Sequence, residues 1–174
     1  MNLKKLLLIL LFPTILIGQS KNTYTNSVEN EFITQKPNLT LKAAFELTKR
    51  VQSVADSLNT NVSLAILDAA GITILQIKGE NVGPHNTEAA RRKAYTSLST
   101  KTPTLQLLRA VKKSSDSQNL AELPELLLLS GGSPIYWNGH IIGSIGVAGG
   151  GSAEKDDLLA KSAQILEFGI NTTK

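Results

Sequence analysis

The chain has no cysteine at all. That absence excludes disulfides, thiol nucleophiles, cysteine-ligated zinc, iron–sulfur clusters and the covalent attachment of a c-type haem. It also removes the residue on which an exported protein would carry a lipid anchor. Aromatic residues make up only 5% of the chain, and no long basic run is present. Nucleic acid is therefore not an expected partner, because base stacking and phosphate binding both lack their residues. No apolar run reaches the roughly 20 residues that span a bilayer. Catalytic patterns are missing as well. There is no G-x-S-x-G elbow, no pair of carboxylates at a recognisable spacing, and no phosphate loop of the G-x-x-x-x-G-K-[ST] or G-x-G-x-x-G kind. Nothing assembles a nucleophile with a base, so no catalytic residue is assigned and an enzyme is not the favoured reading.

What is present begins with a targeting signal. Lys4 and Lys5 form a basic start, residues 6–17 an apolar core broken only by Pro13 and Thr14, and Gly18, Gln19 and Ser20 a small, polar exit. That order is the layout of a cleavable signal peptide, expected over residues 1–19. Residues 20–37 are polar and read as a flexible leader. Loss of Lys4 and Lys5 lowers the formal charge from +4 to +2, so the mature protein is nearly neutral. Its expected destination is secreted or periplasmic, with no membrane span after processing. Residues 38–170 are the expected domain, large enough for one core, and residues 171–174 a tail.

Within that domain Thr40 can cap a helix to residue 58, on which Leu41, Ala44, Leu47, Val51, Val54 and Leu58 share a face. Residues 62–67 and 72–78 read as two strands of a hairpin turned by Asp68-Ala69-Ala70-Gly71. A helix is expected over residues 87–99, and a second begins at Thr102 as cap with Pro103 in the first helical position. Asn138-Gly139 marks a second hairpin, returning through residues 141–147. Ser152 then caps a last helix whose first turn carries Glu154, Asp156 and Asp157, with Leu159, Ala163 and Leu166 continuing an apolar face. Hairpins imply antiparallel pairing, so the expected fold is α+β, an antiparallel sheet of two hairpins with helices packed on it.

Three places can carry chemistry. Gly149, Gly150, Gly151 and Ser152 join a strand to a helix, where backbone N–H groups and the helix dipole suit a carboxylate or phosphate; a tight turn asks for the same glycines. Gly131-Gly132 is read as a close backbone approach at a strand start. The segment Gly83-Pro84-His85-Asn86 presents His85 on a loop stiffened by proline, ahead of Glu88, Arg91, Arg92 and Tyr95. A nitrogen donor beside arginines suits a ligand with a metal and negative groups, as in haem with its iron and two propionates. The plain alternative is a solvated helix with a Glu–Arg pair and a surface histidine. His140 falls at a hairpin end, and Asp68 is expected to bond its own turn.

These residues carry a family resemblance. The runs Leu39-Thr40-Leu41 with Ala43-Ala44, residues 62–71 to Asp68-Ala69-Ala70-Gly71, and Arg92-Lys93-Ala94-Tyr95-Thr96 resemble, in order, segments of the GlcG/HbpS family. So do Ser130-Gly131-Gly132-Ser133-Pro134-Ile135 and Gly143-Ser144-Ile145-Gly146-Val147-Ala148-Gly149-Gly150, and the matches span about residues 39 to 168. The resemblance implies a profilin-like α+β fold, homo-oligomers, and non-covalent haem binding in some members. Other members accompany glycolate or propanediol metabolism. From it Thr96, in the Lys-Ala-Tyr-Thr segment, joins His85 as a candidate iron ligand. The expected function is a secreted haem or iron-porphyrin binder for acquisition or sensing. The alternatives are a carboxylate enzyme or accessory subunit taking a small anionic molecule, or a ligand-free oligomeric module.

Overall fold

The computed structural model describes residues 32–113 and 118–173, so the expected signal peptide and most of the leader lie outside the described residues. Thr40 caps helix α1 (Leu41–Ser57) as expected, its hydroxyl accepting from the N–H of Ala43 at 3.1 Å. Ala44, Leu47, Val51 and Ala55 are buried along that helix, whereas Leu41 is exposed, so the apolar face is narrower than its sequence spacing suggests.

Strands β1 (Ser63–Asp68) and β2 (Thr73–Ile77) form the first hairpin. Asp68 holds its turn by accepting from the N–H groups of Ala70 and Ile72, both at 2.9 Å. Strands β3 (Gly132–Trp137) and β4 (His140–Ala148) form the second, around Asn138 and Gly139, both at positive φ. The hairpins join through antiparallel pairing of β1 with β4. A fifth strand, β5 (Ile170–Asn171), pairs with β3 and gives the order β2-β1-β4-β3-β5. The expected tail is thus corrected: Asn171 is sheet, and buried Thr172 donates its hydroxyl to the carbonyl of Lys161 at 2.8 Å. Two residues of strand leave no periodicity to read.

The remaining helices are α2 (His85–Thr100), α3 (Thr104–Val111) and α4 (Ala153–Lys161). Helix α2 starts earlier than expected, so His85 belongs to its first turn rather than to a loop. Thr102 does not cap α3; its hydroxyl donates to the carbonyl of Thr100 at 2.9 Å, and Pro103 is still extended, with φ −54° and ψ 131°. Ser152 does cap α4, accepting from Lys155 N–H at 3.1 Å. That helix ends at Lys161, so Leu166 does not continue its face and is exposed.

The two faces of the sheet differ in side-chain size. Leu64, Ile66, Ile135, Ile145 and Val147 point to one face and pack with Leu47 and Val51 of α1 and Leu159 and Ala160 of α4. Each fully buried aliphatic side chain there contributes roughly 1.5–3 kcal/mol. The other face carries Ser63, Ala65 and Leu67 from β1 and Ser144, Gly146 and Ala148 from β4, register partners of one another. Helix α2 covers it through Ala90 and Ala94. The result is an α+β fold of four helices on a five-stranded antiparallel sheet.

Candidate functional site

Most of the candidate residues lie on α2, so its seating comes first. Gly132 and Gly146 are cross-strand partners directly under the helix. A Cβ at Gly146 would overlap the carbonyl oxygen of Ala90, and one at Gly132 the carbonyl oxygen of Lys93. Helix backbone therefore lies on sheet backbone, as the close approach expected for Gly131-Gly132 requires. Lys93 adds a charged pin. Its Nζ donates to Asp156 Oδ2 at 2.8 Å and to the carbonyl of Val147 at 3.0 Å, with the lysine side chain only 5% exposed. Asp156 Oδ1 accepts from the N–H of Gly150 at 2.8 Å. One buried pair thus ties α2, β4, the glycine loop and α4 together.

That pin changes the reading of the glycine loop. The N–H of Gly150 was a candidate anion donor, and the chain's own Asp156 carboxylate takes it. Gly149 has φ +107° and lies against Val82, and Gly151 has φ +88°. Gly149, Gly150, Gly151 and Ser152 therefore make a turn and a cap.

The remaining candidates separate along α2. At its head, His85 is exposed, and its imidazole has no hydrogen bond or ion pair with another described residue. Asn86 turns its side-chain amide back to the carbonyl of Gly83 at 3.2 Å. Arg91, not Arg92, meets Glu88, at 2.7 Å, and also Glu125 at 2.8 Å. Hydrogen bonds to Glu88 and then Glu125 raise the Arg91 pKa, and the bond from Arg91 holds the Glu88 carboxyl below its ordinary value. Arg92 donates to the carbonyls of Pro124 and Leu126, both at 2.8 Å. Thr96 is fully buried, donating to the carbonyl of Arg92 at 2.7 Å and accepting from Leu127 N–H at 2.8 Å. These bonds commit the Arg91 guanidinium, one terminal nitrogen of Arg92 and the threonine hydroxyl to holding the chain, while Arg92 Nε is buried without a partner among the described residues. The hydroxyl of Thr96, the other candidate iron ligand, is thus engaged by two bonds of the chain itself. It also lies eleven residues after His85, about 16 Å along the axis, so the two do not share one iron.

Tyr95 belongs to the other end. It lines a half-open cleft of about 550 Å³ between the β1–β2 turn, the end of α2 and the β3–β4 hairpin. Lys36, Lys101, Ser99 and Tyr136 supply its polar groups. Burial raises the pKa of the Tyr136 phenol, which stays protonated and able to donate. Sequence reading passed over Lys36, Lys101 and Tyr136 because three distant segments bring them together. Lys93 was noticed only as part of a motif. Its spacing with Ala90, Ala94 and Ser97 on the buried face was the available signal.

Comparison with known proteins adds a frame. A family profile described as "Haem degrading protein HbpS-like" matches residues 39–164. A 15.0 kDa protein from the dhaT–dhaS intergenic region of Citrobacter freundii is 29% identical over 131 residues, covering 74% of this chain and 92% of that protein. HbpS of Streptomyces reticuli, solved as a double mutant, has a TM-score of 0.71 at 31% identity, over 79% of this chain and 92% of that one. A PduOC–haem complex gives a TM-score of 0.69 at 25% identity, over 79% of this chain and 99% of that one.

Proposed function

We propose that this chain, which belongs to the HbpS-like family of haem-degrading proteins, binds haem or a related iron porphyrin without a covalent link. A relative of the same fold solved in complex with haem supports the reading. The observation that carries it in this chain is His85. Its imidazole is exposed, unbonded to other described residues, and set in the first turn of a helix that the glycine pair and Lys93 hold in place. An imidazole nitrogen is a common haem-iron ligand, so the donor fits the group. Haem bound there supplies an iron centre for ligand or redox chemistry, and His85 orients it. A homo-oligomer, expected from the family resemblance, belongs to the same reading. The signal peptide expected over residues 1–19 is the sequence ground for placing acquisition or sensing outside the cytoplasm. The rival reading, an enzyme on small carboxylates, drew on the glycine loop that Asp156 fills.

The test is a hemin titration of the mature protein followed at the Soret band. We expect a saturable red shift in the wild type, its loss in His85→Ala and its retention in Thr96→Ala. No shift in the wild type removes haem; the same spectrum from His85→Ala removes His85 as the ligand.

A further inference from the structure

The cleft at the far end of α2 is a second place with ligand chemistry, and it is independent of His85. The helix has 16 residues, so its two ends stand about 24 Å apart. One porphyrin does not reach both.

Three observations bear on what the cleft takes. Its volume of about 550 Å³ falls within the range of small-molecule sites, roughly 300–1,000 Å³. Its charge is of one sign: Lys36 and Lys101 line it, and no Asp or Glu does. Neither ammonium group is paired with another described residue, and neither are the hydroxyls of Tyr95 and Tyr136. The rest of the lining is mostly apolar, with Leu98 and Ile141 among it. Tyr95 lays its ring edge on Gly71, 3.4 Å from where a Cβ would stand, so the turn glycine fixes the ring at the cleft wall.

The third observation is backbone strain. Helix α2 closes in a Schellman motif: Thr102 N–H bonds the carbonyl of Ser97, and Lys101 N–H that of Leu98, both at 3.2 Å. The residue that must be left-handed in this motif is usually glycine. Here it is Lys101, with φ 53°; the other non-glycine residues at positive φ among those described are all asparagines, Asn59, Asn81 and Asn138. Asparagine tolerates this region and lysine does so poorly. A cation near a helix C-terminus gains something from the dipole, but a lysine one turn earlier gains it without strain. Strain kept at a cleft wall marks a side chain that the cleft uses.

We propose that this cleft binds a planar aromatic carboxylate, with Lys36 and Lys101 on its carboxylate groups and Tyr95 and Tyr136 against its ring. A porphyrin with its propionates and a small aromatic acid share that chemistry, and the test separates them.

The probes are 2-naphthoate and iron-free protoporphyrin IX, titrated by fluorescence against the mature protein, with the melting temperature measured in parallel. The deciding variant is Lys101→Gly, which removes the charge and relieves the backbone. Its melting temperature should hold or rise while affinity for the bound probe falls about fivefold to tenfold, the size of one charge-assisted contact at a half-open site. Lys36→Glu should weaken binding at least as much. Naphthoate binding with hemin binding unaltered in Lys101→Gly gives a small aromatic acid as the ligand. Hemin competing with naphthoate, and weakened by the same variant, gives the porphyrin as the ligand and moves the haem from His85 to the cleft. Failure of both probes to bind saturably, or equal affinity in Lys101→Gly, overturns the proposal. Neither result touches the Soret test of His85→Ala.

Discussion

The two faces of the sheet are built on opposite principles. Under α1 and α4 the strands send out Leu64, Ile66, Ile135, Ile145 and Val147, and the helices meet them with side chains of similar size. Under α2 the strands offer Ala65, Ala148 and the glycine pair, and the helix settles onto the sheet itself. The first face is stabilised by apolar area and relaxes in part when a side chain shrinks. The second has only a thin side-chain layer, of Ala65, Leu67 and Ala148, and little in it to give way. It holds its helix by shape and by one buried ion pair, and that helix carries His85 at one end and the cleft at the other. The closer fit lies under the helix that carries the candidate residues, and the larger apolar area on the opposite face.

The comparison breaks if adding to the thin face is tolerated. Gly146→Ala adds one carbon where the Ala90 carbonyl already stands, so we expect a loss beyond about 4 kcal/mol, read as absence of a cooperative urea transition. Leu47→Ala removes three carbons from the thick face and should cost less, about 2–5 kcal/mol, with the transition intact. Equal costs would erase the distinction. Lys93→Met is next. It leaves the Asp156 carboxylate buried beside Gly150 without its cation, and we expect about 3–5 kcal/mol of destabilisation by the same measurement.

The smallest effect lies on the outer side of α2, where Glu88 meets Arg91. Arg91 lowers the Glu88 pKa from its reference of 4.5. A lowered carboxylate pKa gives stability that is present above that reference and lost as pH falls through the lowered value. With Glu88 mostly exposed, Glu88→Gln should lower the melting temperature only slightly near neutral pH and not at all in acid. A large effect would mean that this outer pair, and not the buried pin, holds the helix.

How far the sequence reveals this molecule follows the range of each interaction. The caps at Thr40 and Ser152, the Asp68 turn and the Asn138-Gly139 hairpin depend on residues within a few positions of one another, and the structure shows each as expected. Thr102 misled because two local rules competed for it. A Thr-Pro start and a Schellman stop both fit, and the chain needed a stop, with Thr102 bonded back to Ser97. The candidate site was harder to read. Gly150 looked open to an anion because its partner Asp156 sits on the next helix turn with Lys93 beyond it, 63 positions away in the chain. Arg92 and Thr96 were offered to a ligand for the same reason: their partners, Pro124, Leu126 and Leu127, lie in a segment with no periodic signal. His85 differs from them in having no partner among the described residues.

The paired glycines under α2 also govern how the two ends of the helix communicate. Packed helices shift on the side chains between them, but at Gly132 and Gly146 the backbone of α2 meets the sheet with no side chain between. The helix acts as a strut of fixed length and angle. We therefore expect His85→Ala and Lys101→Gly to act independently of one another in the titrations proposed above.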